Sequence, residues 1–227
     1  EAVLVDTAGR FTTQDSDKEA DSASWSGFLA LLKKSRPRQP LNGVLVTVSV
    51  SDLLARSAAE RQRHAATVRQ RVQELHERLN IRFPIYLLVT KCDLMSGFMD
   101  MFGALDKDQR ATPWGFTFPL DAAGKGGDFS AFDGEFQALL QRVDDGLIDR
   151  LPGEPDAQRR ARIYSFPGQF SGLRDVLREF VDAVFSPSAF EAQPLLRGVY
   201  FVSGTQEGTP IDRVLGTVAR RYQLERM

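Results

Sequence analysis

Residues 84–93 have the sequence Pro-Ile-Tyr-Leu-Leu-Val-Thr-Lys-Cys-Asp, in which a short apolar run passes directly into polar residues. Runs of this length that are rich in Val, Ile, Leu and aromatic residues are typical of buried strands. Similar runs, each bounded by Gly, Pro, Asp or Ser, recur at 2–5, 43–50 and 198–202. We therefore predict that all four segments are strands of one sheet.

Segments with helical spacing of apolar residues lie between these runs. Their apolar positions are Trp25, Phe28, Leu29 and Leu32; Val68, Val72, Leu75 and Leu79; and Leu173, Val176, Leu177, Phe180, Val181 and Val184. Strands that alternate with helices predict an α/β fold, a parallel sheet with helices on its faces. The stretch after the third run is too long for one crossover. We predict an α/β domain over 1–95 and 196–227 that carries a mainly helical insertion over 96–195.

The composition excludes several classes of protein. Lys and Arg number 29 against 30 Asp and Glu, which leaves a net charge of -1 and no overall cationic field to attract nucleic acid. One cysteine and two histidines cannot form a structural zinc site. The apolar runs are far shorter than the roughly 20 residues of a membrane-spanning helix. We predict no nucleic-acid partner and no membrane span in this chain, which we expect to be a piece of a longer protein.

Two groups of charged and titratable residues have a plain and a functional interpretation. A helix predicted from about 51 to 80 carries six arginines, which form either a solvated face or a docking surface for an acidic partner. Arg159, Arg160 and Arg162 form a second basic cluster with the same two interpretations.

We predict that His64 and His76, twelve residues apart, are surface residues and not metal ligands.

The first apolar run ends in Asp6-Thr7-Ala8-Gly9-Arg10. An acid at the carboxyl end of a buried parallel strand lies where open α/β sheets bind ligands, and small residues after it let the backbone approach a phosphate. The string resembles the Walker B motif of P-loop GTPases. That resemblance implies that Asp6 holds Mg²⁺ through water and that the amide of Gly9 faces the terminal phosphate. It also implies that Thr7 is one of the nucleotide-binding residues. The alternative is a strand that simply ends in an Asp-containing turn.

The third run ends in Thr90-Lys91-Cys92-Asp93, which resembles the guanine-specificity motif of GTPases. The resemblance implies that Asp93 accepts hydrogen bonds from guanine while the stem of Lys91 covers the ring. It also implies that Ser203, after the last run, lies near the guanine carbonyl. We predict that Cys92, at the variable position, is a small buried hydrophobe and not a nucleophile.

A phosphate-binding loop of the form Gly-x-x-x-x-Gly-Lys-Ser/Thr is not found in the chain. The single Gly-Lys pair, Gly124-Lys125, lacks the preceding glycine and is followed by Gly126. We therefore expect no cofactor in this chain by itself. Mg²⁺ with GTP or ATP would be the cofactors of a longer protein that supplies the loop upstream.

Several longer strings resemble one family over nearly the whole chain. They are residues 6–16, 40–44, 83–94, 114–120 and, most specifically, 198–213, Gly-Val-Tyr-Phe-Val-Ser-Gly-Thr-Gln-Glu-Gly-Thr-Pro-Ile-Asp-Arg. The chain is similar to the cytoplasmic domain of the IcmF/TssM family, the large inner-membrane component of bacterial type VI secretion systems. The resemblance implies an NTPase-like domain at the cytoplasmic face of the inner membrane, whose partners are other membrane-complex and baseplate proteins.

The resemblance also implies a P-loop-GTPase-like parallel sheet that lacks its first strands and carries a helical extension. In the GTPase fold, the strand that leads into the phosphate loop separates the strand at 2–5 from the strand at 43–50. We predict that these two strands either close up against each other or leave a slot that another segment fills. An intact nucleotide-type sheet within residues 1–227 would contradict this prediction.

The sequence leaves three functions open. The leading one is a scaffold and interaction domain of the secretion machine, with a degenerate or truncated GTPase-like fold and no catalytic residues of its own. The second is a nucleoside triphosphatase switch whose Walker A motif lies upstream. The third is a targeting GTPase of the signal-recognition type, which shares the two motifs but places them closer together than Asp6 and Thr90.

Overall fold

The structure is a computed structural model that describes residues 3–7, 18–120 and 128–204. Its strands are β1 (Val44–Ser49), β2 (Pro84–Thr90), β3 (Gly115–Thr117) and β4 (Leu195–Phe201). Its helices are α1 (Lys18–Ser35), α2 (Val50–Ala55), α3 (Ala58–Leu79), α4 (Phe98–Phe102), α5 (Lys107–Ala111), α6 (Phe132–Asp145), α7 (Leu147–Arg150), α8 (Ala157–Ser171) and α9 (Arg174–Phe185). The alternation of strands and helices confirms the predicted α/β class.

The four strands form one sheet in the order β1-β2-β4-β3. β1, β2 and β4 are parallel, with Val46 beside Leu87 and Leu87 beside Val199. β3 pairs antiparallel with β4 and lies within the segment that the sequence predicts to be mainly helical. The predicted strands at 43–50, 84–90 and 198–202 are thus confirmed in a mostly parallel sheet.

The predicted helix from about 51 to 80 is in fact two helices. Arg56 follows the end of the first, and Ser57 caps the second: the Ser57 hydroxyl accepts from the amide of Glu60, and the Glu60 carboxylate accepts from the amide of Ser57. This reciprocal pairing satisfies amides at the start of α3 that no helical carbonyl can reach. Arg56 and Ser57 have extended backbones, so α2 and α3 are separate helices.

One face of the sheet is fully buried beneath α3 and α9. The side chains of Val48, Ile85, Leu87, Val89 and Val199 are at most 2% exposed. α3 and α9 pack against each other, and two ion pairs link α3 to the chain around α9: Arg61 with Glu179 at 3.2 Å and Arg69 with Glu191 at 2.5 Å. The side chains on α9 that the apolar spacing predicted to be buried lie in this core.

Aromatic rings connect the helices of 96–195 to the sheet. Phe136 of α6 stacks on Phe170 of α8, with ring centroids 4.7 Å apart and planes 11° apart. Both rings contact Phe201 of β4, and Trp114 contacts Phe170 and Phe201 as well. These helices and the sheet therefore share one core, and the proposed boundaries at residues 95 and 196 stay a prediction.

The predicted basic cluster on α8 is neutralised by acids. Arg162 donates two hydrogen bonds to Asp100 of α4, at 2.7 and 3.0 Å, and Arg159 lies within 3.5 Å of both Asp100 and Glu154. The hydrogen bond from Arg162 holds the pKa of Asp100 below its usual range. Two of the three arginines thus attach α8 to α4 and the loop before α8, and they are not free for an acidic partner.

The prediction of a strand over residues 2–5 was wrong for the residues that the structure describes. Val3, Leu4 and Val5 are exposed and belong to no strand. A strand needs a hydrogen-bonded neighbour and an apolar face to bury, because β-propensity depends mostly on context. The implied GTPase arrangement places another strand between this run and β1, and the described residues supply none.

The two predictions for the slot next to β1 therefore have different outcomes. Residues 3–5 do not close up against β1, so that alternative was wrong. Among the described residues, β1 pairs with β2 alone and its other side is an open edge. An intact nucleotide-type sheet is not formed by the described part of the chain, so a slot that another segment fills stays a prediction.

The second face of the sheet is only partly covered. Leu45 is 48% exposed, Thr47 is exposed, and Tyr86, Leu88 and Tyr200 are half-buried. Parallel sheets normally have both faces covered, because their strands are apolar on both sides. The described helices leave this face and the adjoining edge of β1 accessible.

Both histidines depart from the prediction of surface positions. His76 is buried, with its ring centroid 4.4 Å from that of Phe83, and burial lowers its pKa. His64 is half-buried against Phe180, and burial lowers its pKa too. The helical pattern did not reveal this burial, because Phe83 lies in the loop before β2 and Phe180 lies on another helix.

Candidate functional site

The carboxyl ends of β2 and β4 bring two predicted site segments together. Beyond the last strand residues, the amide of Val202 donates to the carbonyl of Val89 at 2.8 Å, and the amide of Cys92 donates to the carbonyl of Val202 at 3.3 Å. These bonds continue the pairing of the two strands into the loops that follow. The loop with Lys91 and Asp93 therefore lies directly beside Ser203.

Asp93 and Ser203 are joined by a hydrogen bond. The Ser203 hydroxyl donates to Oδ1 of Asp93 at 2.5 Å, across 110 residues of sequence. Asp93 is half-buried and Ser203 is exposed. A carboxylate has about four acceptor positions, so one hydroxyl orients it and leaves capacity for N–H donors of a ligand. The Asp93 carboxylate can therefore accept further hydrogen bonds.

Lys91 has a left-handed backbone, with φ 60° and ψ 37°. This conformation costs a residue with a side chain about 1–2 kcal/mol. It starts the short 3-10 turn Cys92–Leu94, in which the amide of Leu94 donates to the carbonyl of Lys91 at 3.0 Å. The turn fixes Asp93 beside Ser203 and leaves the Lys91 side chain exposed.

Thr90 contacts protein instead of facing a ligand. Its hydroxyl points to the carbonyl of Val48 in β1, at 3.5 Å, and the residue is half-buried. This contact links the ends of β1 and β2. Of the predicted base-side residues, the structure therefore presents Lys91, Asp93 and Ser203 at the surface, with Thr90 behind them.

Cys92 is fully buried, which confirms its prediction as a small hydrophobe. Its Sγ donates to the carbonyl of Val89 at 3.3 Å. Burial raises the pKa of the thiol to about 12. The thiolate is the nucleophilic form of cysteine, so this side chain is unsuited to covalent catalysis at neutral pH.

The predicted phosphate-side residues are not assembled with this loop. Asp6 and Thr7 are exposed, and no hydrogen bond or ion pair joins them to another described residue. Gly9 lies outside the described residues. Within residues 3–7, 18–120 and 128–204, no group of three His, Cys, Asp or Glu side chains could hold a metal ion. Asp6 by itself does not fit a Mg²⁺ site, because no second ligand lies with it among the described residues.

The helices of the described ranges are too short or too polar to cross a bilayer.

Comparison with known proteins identifies the family. The model of the IcmF-related N-terminal domain matches residues 18–227. The chain is 51% identical over all 227 residues to the type VI secretion system component TssM1 of Pseudomonas aeruginosa strain PAO1, and it spans 21% of the length of that relative. No solved structure is significantly similar to the chain. The signal-recognition alternative finds no support in these matches, and the chain belongs to the IcmF-related N-terminal domain family.

Proposed function

We propose that this chain is a scaffold and interaction domain of a type VI secretion membrane complex, at the cytoplasmic face of the bacterial inner membrane. Its family and the name of its relative support a role in type VI secretion. In this proposal the domain is a degenerate or truncated version of a P-loop-GTPase-like fold, and its partners are membrane-complex and baseplate proteins. The chain performs no catalysis by itself.

The observation that carries the proposal is the incomplete sheet. β1 has an open edge, and the neighbouring face exposes Leu45 and Thr47 and half-exposes Leu88. Unpaired strand edges and uncovered apolar faces are unfavourable in a free domain, and natural proteins normally cover them. The occupant we propose is the remainder of the same polypeptide, because the chain spans 21% of its relative's length. The sheet is then finished only within the larger protein.

The test is a charge placed on the open face of the full-length protein in a bacterium that secretes through this system. We expect Leu45→Glu to reduce secretion at least about tenfold, because a desolvated carboxylate opposes packing on that face. The isolated chain with the same change should keep its melting temperature within about 2 °C, since this leucine is already solvated.

The matched control is Leu120→Glu, because Leu120 is also a leucine with 48% exposure. Secretion assays should find this variant equal to the unaltered protein. Equal secretion by both variants, or equal loss in both, would contradict the proposal that the face around Leu45 is covered in the working complex.

A second candidate function is a nucleoside triphosphatase switch, and one observation favours it. The hydrogen bond between Asp93 and Ser203, beside the left-handed Lys91, brings together residues to which the guanine-specificity resemblance gives a role in base recognition. Phosphate and Mg²⁺ contacts would have to come from a Walker A loop elsewhere in the longer protein. In this function Asp93 and Lys91 select guanine.

The two functions are distinguished by titrating fluorescent GTP and ATP, with Mg²⁺, into the full-length protein and into this chain. A scaffold predicts no micromolar binding by either. A switch predicts micromolar GTP binding by the full-length protein that Asp93→Asn weakens at least about tenfold, since a neutral amide replaces a charged acceptor. Asp149→Asn, at an exposed acid of α7, is the control that leaves binding unchanged.

A further inference from the structure

The amino-terminal edge of the sheet carries a dense cationic surface, which we call the basic edge. It consists of the exposed residues Lys33, Lys34, Arg36, Arg38, Arg78 and Arg82. No acidic residue lies between positions 31 and 42, and Glu77 is the single acid between 76 and 82. The whole chain has a net charge of -1, so this concentration of positive charge is local.

Packing of α1 against α3 creates the basic edge. The Lys33 ammonium donates to the carbonyl of Arg78 at 2.9 Å, which joins the last turn of α1 to the last turn of α3. Arg36 donates to the side-chain carbonyl of Asn42 at 3.2 Å, just before β1 begins. Because the main strands are parallel, the residues that precede β1 and those that precede β2 lie at the same end of the sheet, where these strands begin. The site around Asp93 and Ser203 lies at the opposite edge.

Several arginines elsewhere on the surface are neutralised by acids. Arg61, Arg69, Arg71, Arg162 and Arg178 each pair with a carboxylate. In contrast, Lys33, Lys34, Arg36, Arg38 and Arg78 make no ion pair with any described residue, and the bonds that Lys33 and Arg36 form end on neutral oxygens. Their charge is therefore not compensated within the described part of the fold.

An exposed apolar side chain lies beside one of the cations. Leu31 is 61% exposed and precedes Lys34 by three residues, which places both on one face of α1. Beside Arg82, a groove of about 480 Å³ is lined by Ile81, Asn80 and His76, and also by the acid Glu77. Clusters of four to eight Lys and Arg attract anionic lipid headgroups, and aliphatic groups between them bury in the headgroup boundary. An acidic protein surface would use the cations but not the solvated leucine.

We propose that the basic edge docks on the anionic surface of a phospholipid bilayer. The inference rests on the proposed function, which locates the domain beside the inner membrane. Docked in this way, the amino-terminal edge of the sheet faces the lipid, and the edge with Asp93 and Ser203 faces the cytoplasm. The bilayer orients the domain so that its other partners meet a fixed surface.

The test is sedimentation of the 227-residue chain with phosphatidylcholine vesicles that contain or lack phosphatidylglycerol. We expect binding to the anionic vesicles alone, weakening steeply as salt is added. A variant with Lys34→Gln, Arg36→Gln, Arg38→Gln and Arg78→Gln should lose at least about tenfold in partitioning. The control carries Arg63→Gln, Lys107→Gln, Arg142→Gln and Arg160→Gln, which remove as many exposed charges elsewhere, and should partition like the unaltered chain.

A further variant, Leu31→Gln, separates a bilayer from an acidic protein. It should weaken binding to anionic vesicles and leave binding to soluble polyglutamate unchanged, because only a bilayer buries the leucine. No binding to anionic vesicles, equal losses in both four-residue variants, or identical effects of Leu31→Gln on vesicles and polyglutamate would overturn the proposal. Circular dichroism verifies that each variant is folded. Such a failure would not affect the secretion test at Leu45, so the two proposals fail separately.

Discussion

Replacement of Phe136 by alanine is expected to lower the free energy of unfolding by about 3–5 kcal/mol, the usual cost of removing a buried aromatic ring. The ring is fully buried and stacks on Phe170. It also contacts Phe132 on its own helix and Phe201 of the sheet. Its removal leaves a cavity where α6, α8 and β4 meet, and three rigid elements cannot collapse to fill it.

Urea unfolding of the 227-residue chain, followed by circular dichroism, measures this loss. Phe190→Ala is the matched control, because Phe190 is 97% exposed and its removal should change stability by less than about 0.5 kcal/mol. If Phe136→Ala fails to fold, Phe136→Leu is the substitute, because leucine keeps most of the side-chain volume. This variant should still unfold at a lower urea concentration than the unaltered chain. Equal stability of Phe136→Leu, Phe190→Ala and the unaltered chain would contradict the shared aromatic core.

Cys92 is expected to react with thiol reagents about a thousandfold more slowly in the folded chain than in the unfolded chain. Burial raises the pKa of its thiol from the ordinary 9.0 to about 12, and each unit lowers the thiolate fraction roughly tenfold near pH 8. Because the folded pKa is raised, the neutral thiol favours folding fully below the unfolded pKa. That contribution is lost as pH rises toward about 12.

The rate of alkylation by iodoacetamide, measured from pH 7 to 10 with and without urea, tests this expectation. In urea the rate should level off above the ordinary thiol pKa, whereas in the folded chain it should still rise at pH 10. A Ser35→Cys variant in a Cys92→Ala background presents an exposed thiol and should react at the unfolded rate. Equal rates for Cys92 in the folded and unfolded chains would show that the thiol is accessible.

The candidate site was predictable from the sequence in part. The tetrapeptide at 90–93 and Ser203 each follow an apolar run, and the carboxyl ends of adjacent parallel strands share an edge. The bond between Asp93 and Ser203 agrees with that expectation. The left-handed Lys91 was not predictable, because it depends on the turn that continues the pairing of β2 and β4.

The basic edge shows why spacing along the chain was insufficient. The sequence contains the basic run Lys-Lys-Ser-Arg-Pro-Arg at 33–38, and a separate group of arginines lies between 51 and 80. Only the packing of α1 on α3 brings Lys33 to Arg78. In the same way, the packing of α9 on α3 pairs Arg61 and Arg69 with acids more than 100 residues away in the sequence. The charges of these two arginines are therefore not available for docking.

By itself, the sequence determined the α/β class, the three parallel strands β1, β2 and β4, and the burial of Cys92, because apolar runs and helical spacing report local burial. The tertiary structure decided the rest. Val3, Leu4 and Val5 form no strand, because no neighbouring strand pairs with them among the described residues. The three residues of β3 are a strand because they pair with β4. Strand pairing and charge compensation depend on residues distant in the chain, and a one-dimensional pattern does not specify which of them meet.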